Sequence, residues 1–381
     1  MNKITQLSIA LTLGLCSSVN VSAQVDAYPI EKHEAHDDYQ LVNVATGIAI
    51  PWGMVWLNDT DLLVTDRSGE LRMIRNDTLL EQVITGVPKV DARGQGGLLD
   101  IEKDPNYETN GWLYLAYSGF EGDAKGSNTS VVRAKLDKSS MSLTDVEVIF
   151  DGSPNTSNPR HFGSRLEFGS DGHLYISVGD RGERSEYPQR LDADAGKIHR
   201  INPDGSIPKD NPFVGKKDHN DTIYSYGHRN PQGMARHPKT GDIWTHEHGP
   251  RGGDEINRVK AGVNYGWPVI SYGINYSGTS FTDITSKEGM EQPDWQWTPS
   301  IAPSGMVFVT GDQYPEFKGH MLVGALKFAH GVLVEMKDDK VVAHHKLFEG
   351  AGRIRSLSTS PDGTIYLGVD GSGIFKVVPN S

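Results

Sequence analysis

Five polar fragments combine residue types that do chemistry, and each lies where a strand-forming run would meet a loop. His161 opens the stretch His161-Phe-Gly-Ser-Arg165, read as strand-like. An imidazole near its ordinary pKa can take a proton from a hydroxyl at neutral pH. Asp180 ends the next strand of the same repeat, where it could sit beside His161 and fix its tautomer. An isolated strand-end histidine is more often bonded to backbone, so the assignment to a base rests on the surrounding pattern. Arg229 and Asn230 lie within Gly227-His-Arg-Asn-Pro-Gln-Gly233. A guanidinium there can pair with a carboxylate or stabilise an oxyanion. A simple Asn-Pro turn would leave His228, Arg229 and Gln232 unexplained.

Gly249-Pro250, followed by Asp254 and Glu255, reads as a turn that exposes carbonyls and then presents carboxylates. Calcium accepts such oxygen ligands readily, although the spacing is not that of an EF-hand and a solvated acidic turn has the same composition. His246 and His248 flank Glu247 at strand spacing, so alternation puts both on one face, with a transition-metal site as the lesser reading. Lys327, Arg353 and Arg355 fall near strand ends of the last two repeats, and Arg353 and Arg355 share a face from which they could grip a polycarboxylate. The alternative is a solvated basic edge. Gln95 and the aromatics Trp267, Tyr272, Tyr276, Trp295 and Trp297 could line the same mouth or pack between strands. A base, a carbonyl-rich metal turn and a cation cluster together suit a calcium-assisted redox enzyme holding a multiply anionic cofactor.

Something must bring these fragments together. The chain has 381 residues, 36% hydrophobic and 23% charged, with 43 glycines and 20 prolines, which reads as globular and turn-rich. A formal charge of -12 argues against nucleic acid as a partner but leaves room for a small anion at a local cation cluster. Lys3, the apolar run Leu7 to Leu15 and Val21-Ser22-Ala23 read as a secretory signal over residues 1–23, too short to span a bilayer. Its removal takes away Cys16, the single cysteine, and points to a periplasmic or secreted protein without disulfides. Residues 24–38 read as a polar N-terminal segment.

From Tyr39 the chain repeats itself loosely. Copies begin at Pro51, Ser164, Pro231 and Arg355, with weaker ones over Leu98 to Tyr117 and Gly305 to Ala325. Each has strands separated by Asp-Gly, Pro-Asp or glycine turns. Six copies at intervals of roughly 45 to 80 residues predict an all-β, six-bladed propeller with long inter-strand loops, one domain over residues 39–381. Helical periodicity, which a parallel α/β fold requires, is missing.

With this organisation, the fragments His161-Phe-Gly-Ser-Arg165, Gly227-His-Arg-Asn-Pro-Gln-Gly233, Gly249-Pro-Arg-Gly-Gly-Asp-Glu255, Asn264-Tyr-Gly-Trp-Pro268 and Arg353-Ile-Arg355 resemble, in order, the soluble pyrroloquinoline-quinone-dependent glucose dehydrogenases. They resemble the aldose sugar dehydrogenase branch more closely. The resemblance implies a six-bladed propeller with the quinone in its central mouth. It implies that His161 takes the anomeric proton, that Asp180 orients it, and that Arg229 stabilises charge on the quinone oxygen. Gln95, Asn230, Tyr276, Lys327, Arg353 and Arg355 would surround the cofactor. The backbone oxygens of Gly249 and Pro250 would hold the catalytic calcium, and Glu255 and Tyr265 would serve a second, structural one. The run Asp180-Arg-Gly-Glu-Arg-Ser185 departs from the glucose-oxidising branch, which carries glutamine after its Gly-Asp, so a broad aldose range is expected.

Two other readings share the fold: a calcium-dependent lactonase or other hydrolase, which has no need of Lys327, Arg353 and Arg355, and a non-catalytic recognition propeller, which has no need of His161. The sequence lacks a haem-attachment motif, so electrons would leave to an external quinone or cytochrome. Monomer and homodimer are both compatible with it.

Overall fold

The computed structural model describes residues 30–120 and 125–380, so the segment read as a signal lies outside the described residues. A 3-10 turn, Glu34–Asp38, leads into β1 (Tyr39–Ala45). Five four-stranded antiparallel sheets then form in chain order. The first holds β2 (Pro51–Trp56), β3 (Asp61–Asp66), β4 (Leu71–Arg75) and β5 (Thr78–Leu79). The second holds β6 (Leu98–Lys103), β7 (Trp112–Gly119), β8 (Asn128–Asp137) and β9 (Ser142–Asp151). The third holds β10 (Leu166–Phe168), β11 (Leu174–Val178), β12 (Lys197–Ile201) and β13 (Ile223–Tyr226). The fourth holds β14 (Pro231–Arg236), β15 (Ile243–Glu247), β16 (Asp254–Arg258) and β17 (Trp295–Trp297). The fifth holds β18 (Pro303–Phe308), β19 (Met321–Ala325), β20 (His330–Lys337) and β21 (Lys340–Leu347).

The sixth sheet takes β22 (Ile354–Thr359), β23 (Ile365–Val369) and β24 (Gly373–Pro379) from the end of the chain and β1 from near its start. Tyr39 pairs with Pro379 and Gln40 with Val378. The repeat pattern anticipates the three C-terminal strands, but the fourth is a long-range pairing that no local signal encodes. Among the described residues the one α-helix is the four-residue Tyr107–Asn110. No helix of the described residues is long and apolar enough to cross a membrane.

The innermost strands β2, β6, β10, β14, β18 and β22 pack each on the next, and β22 on β2, which closes the ring of a six-bladed propeller. Apolar clusters fill all six junctions between neighbouring blades. Leu63 and Met73 meet Leu113 and Leu115 between the first two, and Trp56 meets Tyr366 between the last and the first. The inner two strands of a blade can be buried on both faces, as in the fully buried β2 and β19, so strict apolar–polar alternation is lost there.

The innermost strands also share an irregularity. Register slips between Pro51 and Gly53, Leu98 and Ile101, Pro231 and Gly233, Pro303 and Met306, and Ile354 and Ser356. A bulge adds a residue on one strand and re-aims its neighbours. Trp52, Asp100, Gln232 and Arg355 fall within these bulges, and three of them line the central mouth. In the remaining inner blade, Arg165 sends its guanidinium to the carbonyls of Trp52, Gln232 and Arg355 and to the Asp100 carboxylate, at 2.6 to 3.2 Å. One buried cation thus ties five blades together on the axis.

Candidate active site

The mouth is a cavity of about 530 Å³ at one end of the axis. Trp52 and Phe162 give it an apolar floor, packed with Leu99. Gln95, Asn230 and Gln232 line it together with Lys327, Arg353 and Arg355.

His161 reaches the site by a route the sequence did not indicate. The stretch from His161 to Arg165 is not a strand; β10 begins only at Leu166. Positive φ angles at His161 (56°), Gly163 (64°) and Ser164 (68°) coil it tightly. A non-glycine residue in that region is unusual and persists only when its surroundings hold it. Here the Gln95 side-chain oxygen accepts from the His161 amide at 2.7 Å. Gly179 makes room, since a Cβ there would lie 2.2 Å from the His161 carbonyl.

The imidazole Nδ1 lies 2.7 Å from Asp180 Oδ1, and Trp267 Nε1 donates to Asp180 Oδ2 at 2.8 Å. The Asp180 side chain is 1% exposed and that of His161 14%. With Nδ1 committed to the carboxylate, Nε2 is the nitrogen that can take a proton. Burial lowers the His161 pKa, the Arg229 cation lowers it further, and Asp180 pulls the other way. Arg229 donates to the His248 carbonyl at 2.9 Å and stands over the Trp267 ring at 5.3 Å. Asn230 accepts from the Gly163 amide at 3.1 Å, tying its own strand entry to that of His161.

At the turn from Gly249 to Gly253, read from the sequence as a metal site, Asp254 is turned inward onto protein donors. Its carboxylate accepts from the Gly249, Ile301 and Ala302 amides and from the Ser300 hydroxyl. The Arg251 amide is spent on Ile274 and the Gly253 amide on Trp297 and Thr298, so neither turns back to the Gly249 or Pro250 carbonyl. The turn is tight enough to demand glycine: a Cβ on Gly249 would lie 2.2 Å from the Gly252 carbonyl. Glu255 shares its surroundings with Glu247, and burial followed by that neighbouring carboxylate pushes its pKa well up. The Tyr265 hydroxyl accepts from the Lys260 amide and donates to the Arg258 carbonyl, so it is not a free ligand.

Several expectations need correction. His161 and Arg229 are not themselves among the residues lining the mouth, although the adjacent Phe162 and Asn230 are; Tyr276 is not among them either and is 72% exposed. Tyr272 bonds Gln292, while Trp295 and Trp297 pack around His344 at the outer edge of the fourth blade; none of the three lines the mouth. Of the five aromatics, Trp267 alone bonds a catalytic candidate. His246 lies against Gly233, and His248 Nε2 bonds the Pro303 carbonyl at 2.6 Å, so the pair does not converge on an ion. Among the described residues no three His, Cys, Asp or Glu side chains are grouped to hold a metal. Arg353 and Arg355 do share the mouth wall, but both are paired to Asp370.

Asp370 was overlooked, although a signal for it exists. In four of the repeats the second strand runs out into an acid: Asp66, Asp180, Glu247 and Asp370. Each carboxylate holds the segment that enters its own blade's inner strand. Asp66 takes the Ala49 amide, Asp180 takes His161, Glu247 takes His228 and the Arg229 amide, and Asp370 takes Arg353 and Arg355.

A dyad of this geometry beside a cation-walled mouth agrees with the likeness to known proteins. The model of the Glucose / Sorbosone dehydrogenase family matches residues 48–376. The chain belongs to that family. It is 39% identical over 337 residues to the aldose sugar dehydrogenase YliI of Escherichia coli (strain K12), covering 87% of this chain and 90% of that one. The crystal structure of the soluble aldose sugar dehydrogenase from Escherichia coli in the apo-form superposes with a TM-score of 0.86 at 37% identity, over 90% of this chain and all of that one. The PQQ-bound form of an aldose sugar dehydrogenase from Streptomyces coelicolor gives 0.74 at 27% identity, over 89% of this chain and 97% of that one.

Proposed function

We propose that this protein oxidises the anomeric hydroxyl of aldoses to the lactone, using pyrroloquinoline quinone and calcium held in the mouth. The observation that carries the reading is the His161–Asp180–Trp267 chain of hydrogen bonds, joined through Gln95 and the adjacent Phe162 to the lining of a cavity walled by cations. His161 Nε2 takes the hydroxyl proton, while Asp180 holds the tautomer and stabilises the imidazolium that forms. Gln95 fixes the base from the backbone side, and Arg229 supplies positive charge beside it.

The residues present fit the quinone. Its flat ring matches the floor of Trp52 and Phe162, and its carboxylates match Lys327, Arg353 and Arg355. When bound, it supplies a two-electron acceptor, and calcium supplies a Lewis acid for its carbonyl. The Gly249 and Pro250 carbonyls suit that ion. A second cation suits Glu255, the Tyr265 carbonyl and the buried Oδ1 of Asn257, which has no hydrogen-bond partner among the described residues. Export directed by residues 1–23, action of residues 39–381 as one domain in the periplasm, and an external quinone or cytochrome as acceptor belong to the same proposal.

The test is dye-linked oxidation of aldoses by purified apo-protein, with and without the quinone and calcium. Turnover that requires both supports the reading. No turnover with any aldose, and no spectral change on adding quinone, would sink it.

A further inference from the structure

The mouth wall carries one cation that neither the fragments nor the resemblance singled out. Arg67 follows Asp66 at the end of β3 and lines the cavity beside Arg355. Its guanidinium donates to the Gly94 carbonyl, and its backbone amide is bonded to Ile50. Among the described residues no carboxylate lies within ion-pair distance of it. The adjacent Asp66 is spent on the amides of Ala49, Ile50 and Ser68. Arg353 and Arg355, by contrast, share Asp370.

The charge on the wall can be counted. Among the described residues, Arg67, Lys327, Arg353 and Arg355 are the cations lining the cavity, and Asp370 is the one carboxylate. His248, which also lines it, spends its Nε2 on the Pro303 carbonyl. Three positive charges are left over, and without Arg67 only two. A guanidinium partly withdrawn from water, next to another and with no carboxylate at ion-pair distance among the described residues, is offset only in part by the more distant Asp370 and Asp66. An anion offsets the rest.

We infer that Arg67 is a cofactor-binding residue, and that with Lys327 and the Arg353–Arg355–Asp370 group it matches a ligand bearing three carboxylates, as pyrroloquinoline quinone does. This rests on the function proposed above. It assigns the first blade a part in holding the cofactor, opposite in the ring to the Gly249–Pro250 turn.

Apo-protein is titrated with pyrroloquinoline quinone in calcium buffer, following quenching of tryptophan fluorescence at two ionic strengths. Arg67→Gln should weaken quinone binding about ten- to hundredfold, the range for loss of one charge-assisted contact. The variant's affinity should also respond less to added salt. Arg67→Lys, which keeps the charge but loses the planar fork, should fall between wild type and Arg67→Gln. Circular dichroism of both variants confirms folding. Affinity within twofold of wild type in both variants overturns the inference. That includes the case where turnover falls because Gly94 has loosened Gln95 and His161. Wild-type protein that binds no quinone overturns the proposed function along with it.

Discussion

The Arg165 guanidinium lies 3.1 Å from the Asp100 carboxylate, both side chains at most 10% exposed, on the axis where the bulged inner strands converge. Removing one partner of such a pair strands the other charge in a dry interior. Arg165→Met should therefore cost about 3–5 kcal/mol, read from urea unfolding. Adding Asp100→Asn to it should recover part of the loss, because a neutral amide is cheaper to bury than a lone carboxylate. A single variant that loses less than about 1 kcal/mol would mean water reaches the axis.

The pH dependence of turnover follows from the base. The folded His161 titrates below its ordinary value of 6.5, chiefly through burial and then through Arg229. The neutral ring is the active form, so the acid limb of kcat/KM lies below pH 6.5. Asp180→Asn removes the opposing pull, so the limb moves lower still, while loss of the tautomer lowers the plateau about a hundredfold or more. An acid limb at or above 6.5 with His161 intact would show that another group limits the rate.

Asp254 shapes the Gly249–Pro250 turn, proposed above to hold calcium, with its carboxylate spent on protein donors. Asp254→Ala frees four donors, three of them backbone amides, and should cost at least about 2 kcal/mol. It should also raise the calcium concentration needed for half-maximal activity. Asp254→Asn keeps an acceptor oxygen and should do less of both. Equal calcium requirements in wild type and Asp254→Ala would disconnect this carboxylate from the metal turn.

His344 gives the fold an acid-sensitive joint away from the mouth. Its Nδ1 accepts from Trp297 Nε1 at 2.8 Å, and burial, with His345 nearby, takes its pKa down to about 4. The unfolded chain binds a proton at about 6.5, so this residue's contribution is complete above that pH. It drains away as pH falls from about 6.5 to about 4. His344→Gln can still accept the indole hydrogen bond but does not titrate, so its urea midpoint should fall less over that interval. Parallel pH profiles for the two proteins would refute the assignment.

Much of this protein was readable from local pattern. Six strand repeats separated by Asp-Gly and glycine turns specify six blades, because turn chemistry and apolar runs act over a few residues. The fragments around His161, Arg229, Gly249 and Arg353 fall at blade-strand entries, and a ring of blades brings such entries to one mouth. Even the acid closing the second strand is written in the repeats, as Asp66, Asp180, Glu247 and Asp370. Its partner in each blade is the segment entering the same sheet, so the relationship stays within one repeat.

What only the tertiary structure decided lies between repeats. The pairing of β1 with β24 joins residues more than three hundred positions apart, and periodicity carries no record of it. The coil at His161 is held by Gln95 from another blade against an intrinsic preference for negative φ. Arg165 looked like the end of a motif, yet it collects carbonyls from three other blades. Those carbonyls face the axis only because each inner strand is bulged there. Tyr276 and Trp267 are alike in composition and sit in the same stretch of chain. One is left in solvent and the other is bonded to Asp180, because packing around the ring, rather than residue type, determines which side chain reaches the site.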